Sequence, residues 1–237
     1  MQAVALSKAP IIASHSAARS LANVSRNMDN EMLMALKQNG GVIQTVAFGA
    51  YVKTDSPDRT RALAALRSEF GLAVPGRGGA GAAPAPQPAA RAGRGAAAGP
   101  PPCPLDTVNT STVGRNAPPG PALDALPPER RAQYEKRLAE IGARWPPARP
   151  AVKDFVDHID YLVKLIGIDH VGISSDFDGG GGIEGWNNAA ETFNVTLELV
   201  RRGYTEEQIA RIWSGNLLRV WAEVEQVARD IQAGRIR

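Results

Sequence analysis

Short apolar runs alternate with amphipathic stretches along this chain, in the order strand, loop, helix, strand that is typical of a parallel α/β sheet. Three apolar runs, at residues 11–14, 42–48 and 171–175, predict buried strands. Apolar positions that recur at three- and four-residue steps predict helices. The first predicted helix is capped by Asp29 or Asn27 and runs to about Asn39. Further helices are predicted at 58–70, 127–141, 152–166, 193–202, 206–213 and 217–231. The pattern therefore predicts an α/β protein with about three βα units.

Composition divides the chain into four segments. Residues 74–128 are dominated by Gly, Ala, Pro and Arg and have almost no large apolar residues, so they are predicted to form a disordered low-complexity insertion. The other segments are residues 1–73 with the first two strands, residues 129–232 with the third strand and the C-terminal helices, and a basic tail at 233–237. The predicted core is therefore built from the two segments that flank the insertion.

Arg-Gly pairs raise a second interpretation of the insertion. Arg77-Gly78 and Arg94-Gly95 would suit an RNA-binding segment. The pairs are few, no aromatic residue lies among them, and the net charge of +3 is mild and dispersed over the chain. A solvated insertion is the better interpretation, and no nucleic-acid partner is expected.

The sequence offers little information on the compartment of the protein. Cys103 is the single cysteine, so no internal disulfide is possible. No apolar run approaches the length of about 20 residues that spans a bilayer, so no transmembrane segment is expected. Residues 1–10 contain no clear cleavage signal of a secretory peptide. The localisation therefore stays open.

The third predicted strand ends in two carboxylates and a run of glycines. Asp176 and Asp178 follow the strand directly, and Gly179–Gly182 come next. The C-terminal end of a barrel strand is where catalytic groups lie, so Asp176 is a candidate site residue. Aspartate and glycine are also common turn formers, and that plainer interpretation stays open on this stretch alone. A phosphate-binding loop is less favoured, because no Lys-Ser/Thr pair follows the glycines.

His15 lies at the end of the first predicted strand, where a histidine can bind a metal. A lone histidine is more often a structural residue, so this position carries the argument. Ser14 and Ser16 flank it, but the Gly-x-Ser-x-Gly pattern of a serine hydrolase is absent. His158 falls inside a predicted helix between two aspartates, and we interpret it as a surface or packing residue and not as a ligand.

Several blocks of the sequence resemble the membrane (renal-type) dipeptidases, the M19 metallopeptidase family. These blocks cover about 1–72 and 127–230 in the family's order and spacing. They are Ala9-Pro-Ile-Ile-Ala-Ser-His-Ser16, Ser25-Arg-Asn27, Asn39-Gly-Gly-Val42, Asp157-His-Ile-Asp160, the stretch 167–179, Arg202-Gly-Tyr-Thr-Glu-Glu207 and Gly215-Asn-Leu-Leu-Arg-Val220. Agreement of several independent blocks makes the resemblance specific.

The resemblance implies a (β/α)₈ TIM barrel of the amidohydrolase type that holds two zinc ions and hydrolyses dipeptides through a hydroxide bridging the metals. By the same resemblance, His15 is a zinc ligand. Arg26 binds the carboxylate of the substrate, and Tyr51 belongs to the substrate pocket. Asp176 is the catalytic aspartate that contacts the nucleophilic water and transfers its proton.

Other parts of the family pattern are expected to precede Met1, namely a His-x-Asp pair, a bridging glutamate and further histidines. The chain is therefore expected to be the C-terminal part of the barrel, an N-terminally truncated zinc dipeptidase. The alternative is a catalytically inactive fragment or pseudoenzyme with at most a binding or assembly role. One histidine and one aspartate do not supply the three protein ligands that catalytic zinc usually takes. The resemblance leaves open a homodimer of the complete protein.

Overall fold

The structure, a computed structural model, describes residues 2–72 and 123–236. Most of the predicted disordered insertion, residues 74–122, lies outside the described residues. The chain divides into two compact units. The first unit comprises Met1–Ser56 with Pro147–Arg237, and the second unit comprises Pro57–Pro146.

A parallel sheet of three strands forms the centre of the first unit, which confirms the predicted α/β class. The strands are β1 (Ile12–Ser16), β2 (Val42–Val46) and β3 (Val171–Ser174), in the spatial order β1-β2-β3. Strand β2 lies between the other two and is buried along its whole length. The prediction of a strand to residue 48 is too long by two residues, because a short helix begins at Gly49.

The described part of the first unit contains seven helices. They are α1 (Gln2–Leu6), α2 (Asn30–Gln38), α3 (Gly49–Val52), α6 (Val152–Ile166), α7 (Phe193–Arg201), α8 (Glu206–Ala210) and α9 (Asn216–Gln232). Asp29 caps α2 by accepting a hydrogen bond from the backbone N–H of Met32. Of the two caps that the sequence predicted, Asp29 is therefore the correct one. Helix α6 has the predicted bounds, because its apolar positions recur regularly over four turns.

The main core lies between one face of the sheet and the helices. Ile43 and Val171 pack there from the sheet, and Phe155, Ile159 and Leu162 pack there from α6. Successive strand residues point to opposite faces, so neighbouring positions of β2 serve different clusters. The second cluster contains Ala17, Val46 and Tyr51.

Helices α8 and α9 are joined by a π-helical turn, Arg211–Gly215, so the predicted break at Ser214-Gly215-Asn216 is wrong. Asn216 is buried, and its side-chain amide donates to the carbonyls of Ile168 and Val171. These bonds hold the residues of the predicted break inside a continuous helical path. Thr205 begins α8 with a capping box, in which Thr205 and Gln208 exchange reciprocal hydrogen bonds.

The apolar face of α9 is buried only in part. Val220 is fully buried, but Val224 and Ile231, which belong to the same apolar face, are exposed. Trp221 exposes 58% of its surface and donates its indole N–H to Glu225. The periodic pattern predicted the helix correctly, but it did not indicate that the second half of the apolar face is exposed. None of the helices in the described ranges combines the length and the apolar character needed to cross a membrane.

The second unit is a small helical packing in its described part. It contains α4 (Pro57–Glu69), a 3₁₀ turn at Leu123–Ala125, and α5 (Pro128–Arg144). Its core consists of Leu66, Phe70, Leu72 and Tyr134, with Leu123 and Leu126 packed against them. The end of the predicted disordered segment, residues 123–128, is therefore ordered, because its two leucines have a core to pack against.

His158 is a packing residue, as predicted, and it joins two loops. It is buried on α6. Its Nδ1 accepts a hydrogen bond of 3.1 Å from the backbone N–H of Ala18, and its Nε2–H donates to the carbonyl of Val52 at 2.9 Å. Burial lowers the pKa of His158, although the bond to Val52 opposes the shift. The neutral ring therefore connects the segments that follow β1 and β2.

The free energy of unfolding is expected to fall as the pH drops below 6.5, the ordinary pKa of histidine. Because the pKa of His158 is lower in the folded chain, the unfolded chain binds the proton more readily in that range. The loss can reach about 1.4 kcal/mol for each pH unit, until the pH passes the lowered pKa. Urea unfolding at several pH values measures it. His158→Gln is the control, because glutamine does not titrate, and an unchanged pH dependence in that variant would contradict the assignment.

Candidate active site

The C-terminal edge of the sheet carries all four residues predicted for the site. Because the three strands are parallel, their C-terminal ends meet at the same edge. His15 lies in β1, and Arg26 lies in the loop that follows it. Tyr51 follows β2, and Asp176 follows β3.

A β-bulge in β1 presents His15. Ala13 pairs with Ile43, but Ser16 pairs with Thr45, so Ser14 and His15 together oppose Gln44 alone. The prediction placed His15 just after a buried strand 11–14. In the structure His15 lies inside the strand, and both bulge residues are exposed, because β1 is an outer strand of the described sheet.

His15 and Asp176 form the first pair of the site. The His15 Nε2 atom lies 3.8 Å from Oδ1 of Asp176, a distance for electrostatic attraction but too long for a hydrogen bond. The side chains are 47% and 21% exposed. Nδ1 of the same ring lies 2.9 Å from the Ser14 hydroxyl, which fixes the ring orientation. A ligand can therefore reach Nε2 and the carboxylate together.

The backbone of Asp176 has a left-handed conformation, with φ 54° and ψ 31°. Among the described residues it is the one non-glycine residue with a positive φ. Such a conformation costs free energy for a residue with a side chain and is common at functional sites. The backbone N–H groups of Gly179 and Gly181 stabilise it by donating to the Asp176 carbonyl, at 3.0 and 2.6 Å.

Close approach explains two glycines of the run that follows. A Cβ atom at Gly179 would overlap Oδ1 of Asp176, and one at Gly181 would overlap the carbonyl of Ser175. The loop therefore wraps around the aspartate itself, and a phosphate ligand is not needed to explain the glycines. Phe177 anchors the turn, with its ring edge-on to Trp186 at 5.5 Å. Asp178 is exposed, whereas Asp176 is partly buried.

Arg26 and Tyr51 form the second pair. The Arg26 side chain is exposed, and its Cζ atom lies 6.0 Å from the centre of the Tyr51 ring. Tyr51 lies in the short helix α3 and is 6% exposed. Asn27 joins its own loop to α3 by donating to the carbonyls of Ala22 and Tyr51, both at 2.9 Å. Sequence reasoning missed this role, although the block Ser25-Arg-Asn27 contained the residue.

Phe48 contacts both Tyr51 and the glycine loop, and sequence reasoning also missed it. Its ring centre lies 4.7 Å from that of Tyr51. On its other side, the backbone of Phe48 pairs with Gly182, and the N–H of Gly182 donates to the carbonyl of Ala47. Only the position of Phe48 at the end of a strand could have indicated it.

The metal-binding side chains of the site are fewer than a catalytic zinc ion needs. His15 and Asp176 supply two donors, and catalytic zinc usually takes three protein ligands. No group of three or more histidine, cysteine, aspartate or glutamate side chains that could hold a metal is found within residues 2–72 and 123–236. The described residues therefore do not form a zinc site by themselves.

Dipeptidases of known structure share this fold. The probable dipeptidase PvdM from Pseudomonas aeruginosa is 39% identical, with a TM-score of 0.61 over 95% of this chain and 47% of that one. A metallopeptidase from Rhodobacter sphaeroides, solved with a phosphinate mimic of the dipeptide L-Ala-D-Ala, aligns with a TM-score of 0.51 over 93% of this chain and 38% of that chain. Its identity of 15% shows a likeness of fold alone.

The profile of the membrane dipeptidase family, peptidase family M19, matches residues 1–235, so the chain belongs to this family. The resemblance inferred from the sequence blocks is thereby confirmed. Dipeptidase ataJ of Aspergillus terreus is 28% identical over 232 residues, which are 98% of this chain and 35% of that protein. The chain thus spans about a third to a half of the length of these relatives. The family is that of the membrane dipeptidases, and a solved dipeptidase of family M19 is described as a metallopeptidase.

Proposed function

We propose that this chain carries the substrate-binding and proton-handling side of a zinc-dependent dipeptidase site, in a (β/α)₈ barrel of the amidohydrolase type. The observation that best supports the proposal is the gathering of the His15–Asp176 pair and the Arg26–Tyr51 pair at one edge of the sheet. Membership of the membrane dipeptidase family supports the reaction class. The proposed substrates are dipeptides.

Arg26 is proposed to bind the carboxylate at the end of the dipeptide. A guanidinium group donates two parallel hydrogen bonds to a carboxylate, a geometry that an ammonium group does not offer. The buried Tyr51 ring restrains the guanidinium group, and Asn27 fixes the loop that carries it. The carboxylate of the substrate would thus be held at a defined distance from the sheet.

Asp176 is proposed as the catalytic residue that takes the proton from the water attacking the peptide carbonyl. Its carboxylate lies beside the imidazole of His15, and the glycine loop fixes its position. Zinc is the proposed metal and His15 one of its ligands. The remaining ligands would have to come from residues other than those described.

A second candidate is a chain that binds dipeptides without hydrolysing them. The observation that favours it is the donor set, because His15 and Asp176 alone fall short of a catalytic zinc site. The two candidates share the carboxylate-binding role of Arg26 and differ in the turnover of a site that has its complete set of metal ligands.

Replacing Arg26 with leucine is expected to weaken the binding of Gly-Gly to the 237-residue chain by at least about tenfold, because a charge-assisted hydrogen bond is lost. Titration of the ¹⁵N-labelled chain, followed by NMR, measures the affinity. The amide of Gly-Gly is the ligand control, since it lacks the carboxylate. Arg26→Lys keeps the positive charge but cannot donate two parallel hydrogen bonds. Its affinity for Gly-Gly should lie between those of the wild-type chain and Arg26→Leu. Equal binding of Gly-Gly and its amide would refute the role of Arg26.

The same samples with zinc chloride test whether the 237-residue chain alone hydrolyses Gly-Gly. No hydrolysis is expected from the 237-residue chain, because it lacks a complete ligand set in its described part. Turnover that disappears in His15→Ala would overturn this expectation and support a catalytic chain. Binding without turnover is the expected result, and it agrees with both candidates, because the first takes its remaining metal ligands from other residues.

A further inference from the structure

We infer that Phe48 selects the side chain on the carboxy-terminal residue of the dipeptide and favours an apolar one. This inference rests on the proposed function, because it takes Arg26 as the anchor of the substrate carboxylate. It adds a determinant of substrate class to the site, a property that the catalytic residues do not determine.

Phe48 lies next to the proposed anchor of the substrate carboxylate. Phe48 follows β2 directly, and its ring packs against that of Tyr51 with 4.7 Å between the ring centres. The Arg26 guanidinium lies over the same Tyr51 ring, 6.0 Å from its centre. The ring of Phe48 is therefore the next apolar surface beside the proposed carboxylate anchor.

Phe48 also contacts the glycine loop that surrounds Asp176. The backbone N–H of Gly182 donates to the carbonyl of Ala47 at 2.9 Å, which ties the glycine loop to the segment carrying Phe48. A Cβ atom built at Gly180 would lie 3.5 Å from Cε2 of the Phe48 ring. The same loop wraps around Asp176, so Phe48 connects the Tyr51 ring beside the anchor with the loop of the catalytic carboxylate.

The length of a dipeptide makes this intermediate position decisive. One residue separates the terminal carboxylate of a dipeptide from the peptide carbonyl that reacts, and successive Cα atoms are about 3.8 Å apart. With the carboxylate on Arg26 and the carbonyl near Asp176, the carboxy-terminal residue lies over Phe48. Gly180 has no side chain to cover the ring, and Phe48 is only partly buried. An apolar substrate side chain gains by covering the ring, whereas a carboxylate there would lose hydration.

The competing explanation is that Phe48 only packs beneath the loop, against the cluster of Ala17, Val46 and Tyr51. A structural role would change the affinity for every dipeptide by the same factor. A selective role changes the ratio between dipeptides that differ only in the second side chain. The ratio of two dissociation constants is therefore the informative measurement.

The test uses Gly-Leu, Gly-Gly and Gly-Asp with the full chain, and NMR titration measures each dissociation constant. The wild-type chain is expected to bind Gly-Leu about tenfold more tightly than Gly-Gly, and Gly-Asp no more tightly than Gly-Gly. In Phe48→Ala the ratio of Gly-Leu to Gly-Gly affinity should fall to about twofold or less. Phe48→Leu keeps an apolar side chain, so it guards against a folding defect and should retain a part of the preference.

Phe193→Ala is the matched control, since Phe193 is 68% exposed at the start of α7. It should leave the ratio at the wild-type value. An unchanged ratio in both Phe48 variants would overturn the inference while leaving the role of Arg26 intact. Gly-Gly binding that is unaffected by Arg26→Leu would overturn the proposed function itself, and with it the assignment of Phe48. A ratio that falls equally in Phe193→Ala would also overturn the inference.

Discussion

Replacing Gly181 with alanine is expected to lower the free energy of unfolding by about 2–3 kcal/mol. The new Cβ atom would overlap the carbonyl oxygen of Ser175 and would lie 2.7 Å from that of Asp176. Both are backbone atoms, which cannot rotate away as a side chain can. The turn must open, and the 2.6 Å hydrogen bond from Gly181 to the Asp176 carbonyl breaks. Urea unfolding followed by tryptophan fluorescence measures the loss, because Trp186 packs against Phe177 of this turn.

Gly142→Ala is the matched control for this change. Gly142 lies inside α5, and in the described part of the chain no atom comes within 4 Å of a Cβ atom built there. Alanine is also the better helix former by about 1 kcal/mol, so this variant should keep or gain stability. Circular dichroism measures the helical unfolding of both variants. Equal losses in the two variants would refute the explanation by close approach.

Replacing Arg202 with methionine is expected to lower the free energy of unfolding by about 2 kcal/mol, because it removes the cation shared by three carboxylates. Arg202 donates to Asp157 and Asp160 of α6 at 2.7 and 2.6 Å, and to Glu198 of α7 at 2.9 Å. Burial opposes its charge, but the bonds to Asp160 and the other carboxylates outweigh burial and raise the pKa of Arg202. Its side chain is 17% exposed, so solvent screens these pairs only in part. Urea unfolding at neutral pH measures the loss.

Arg201→Met is the control, because it removes the same type of side chain from the adjacent position. Arg201 is 67% exposed and contacts Glu198 at 3.9 Å. Exposed ion pairs contribute about 0–1 kcal/mol, so the change should be small. The two variants lose the same charge, but only Arg202→Met removes the hydrogen-bonded network. Similar losses of unfolding free energy in both variants would contradict a stabilising role of the network.

Periodicity predicted the elements that bury one regular face. Helix α6 has the predicted bounds, and the central strand β2 begins where its apolar run begins. Burial failed at α9, where Val224 repeats the pattern of Val220 but lies in solvent. Periodicity identifies an apolar face but gives no information on whether another element covers it. The predicted break at Ser214 failed for a related reason, because the amide of Asn216 bonds to distant carbonyls.

The candidate site was predictable only in part from the residues themselves. A strand that ends in carboxylates indicated Asp176, but the choice over Asp178 came from the family resemblance. Arg26 and Tyr51 also came from the resemblance, since no local signal indicates that a loop arginine lies over a tyrosine 25 positions later. Non-local contacts such as these depend on how two loops meet at the sheet edge. The bulge at His15 was unpredictable for the same reason, because strand register is a property of two strands.

The π-helical turn at Arg211–Gly215 sets the rotational phase of the last helix. A π turn holds one residue more than an α turn, and each α-helical residue advances the helix by about 100°. This added rotation directs Arg219 toward the carbonyls of Gly40 and Asp169, at 3.1 and 2.9 Å. Those two residues precede β2 and β3, so α9 clamps the end of the sheet that faces away from the His15–Asp176 pair. A one-residue deletion in the turn would rotate Arg219 away from both strands and leave the His15–Asp176 pair unchanged. The stability of the sheet could therefore be varied at this turn without a change in the candidate site.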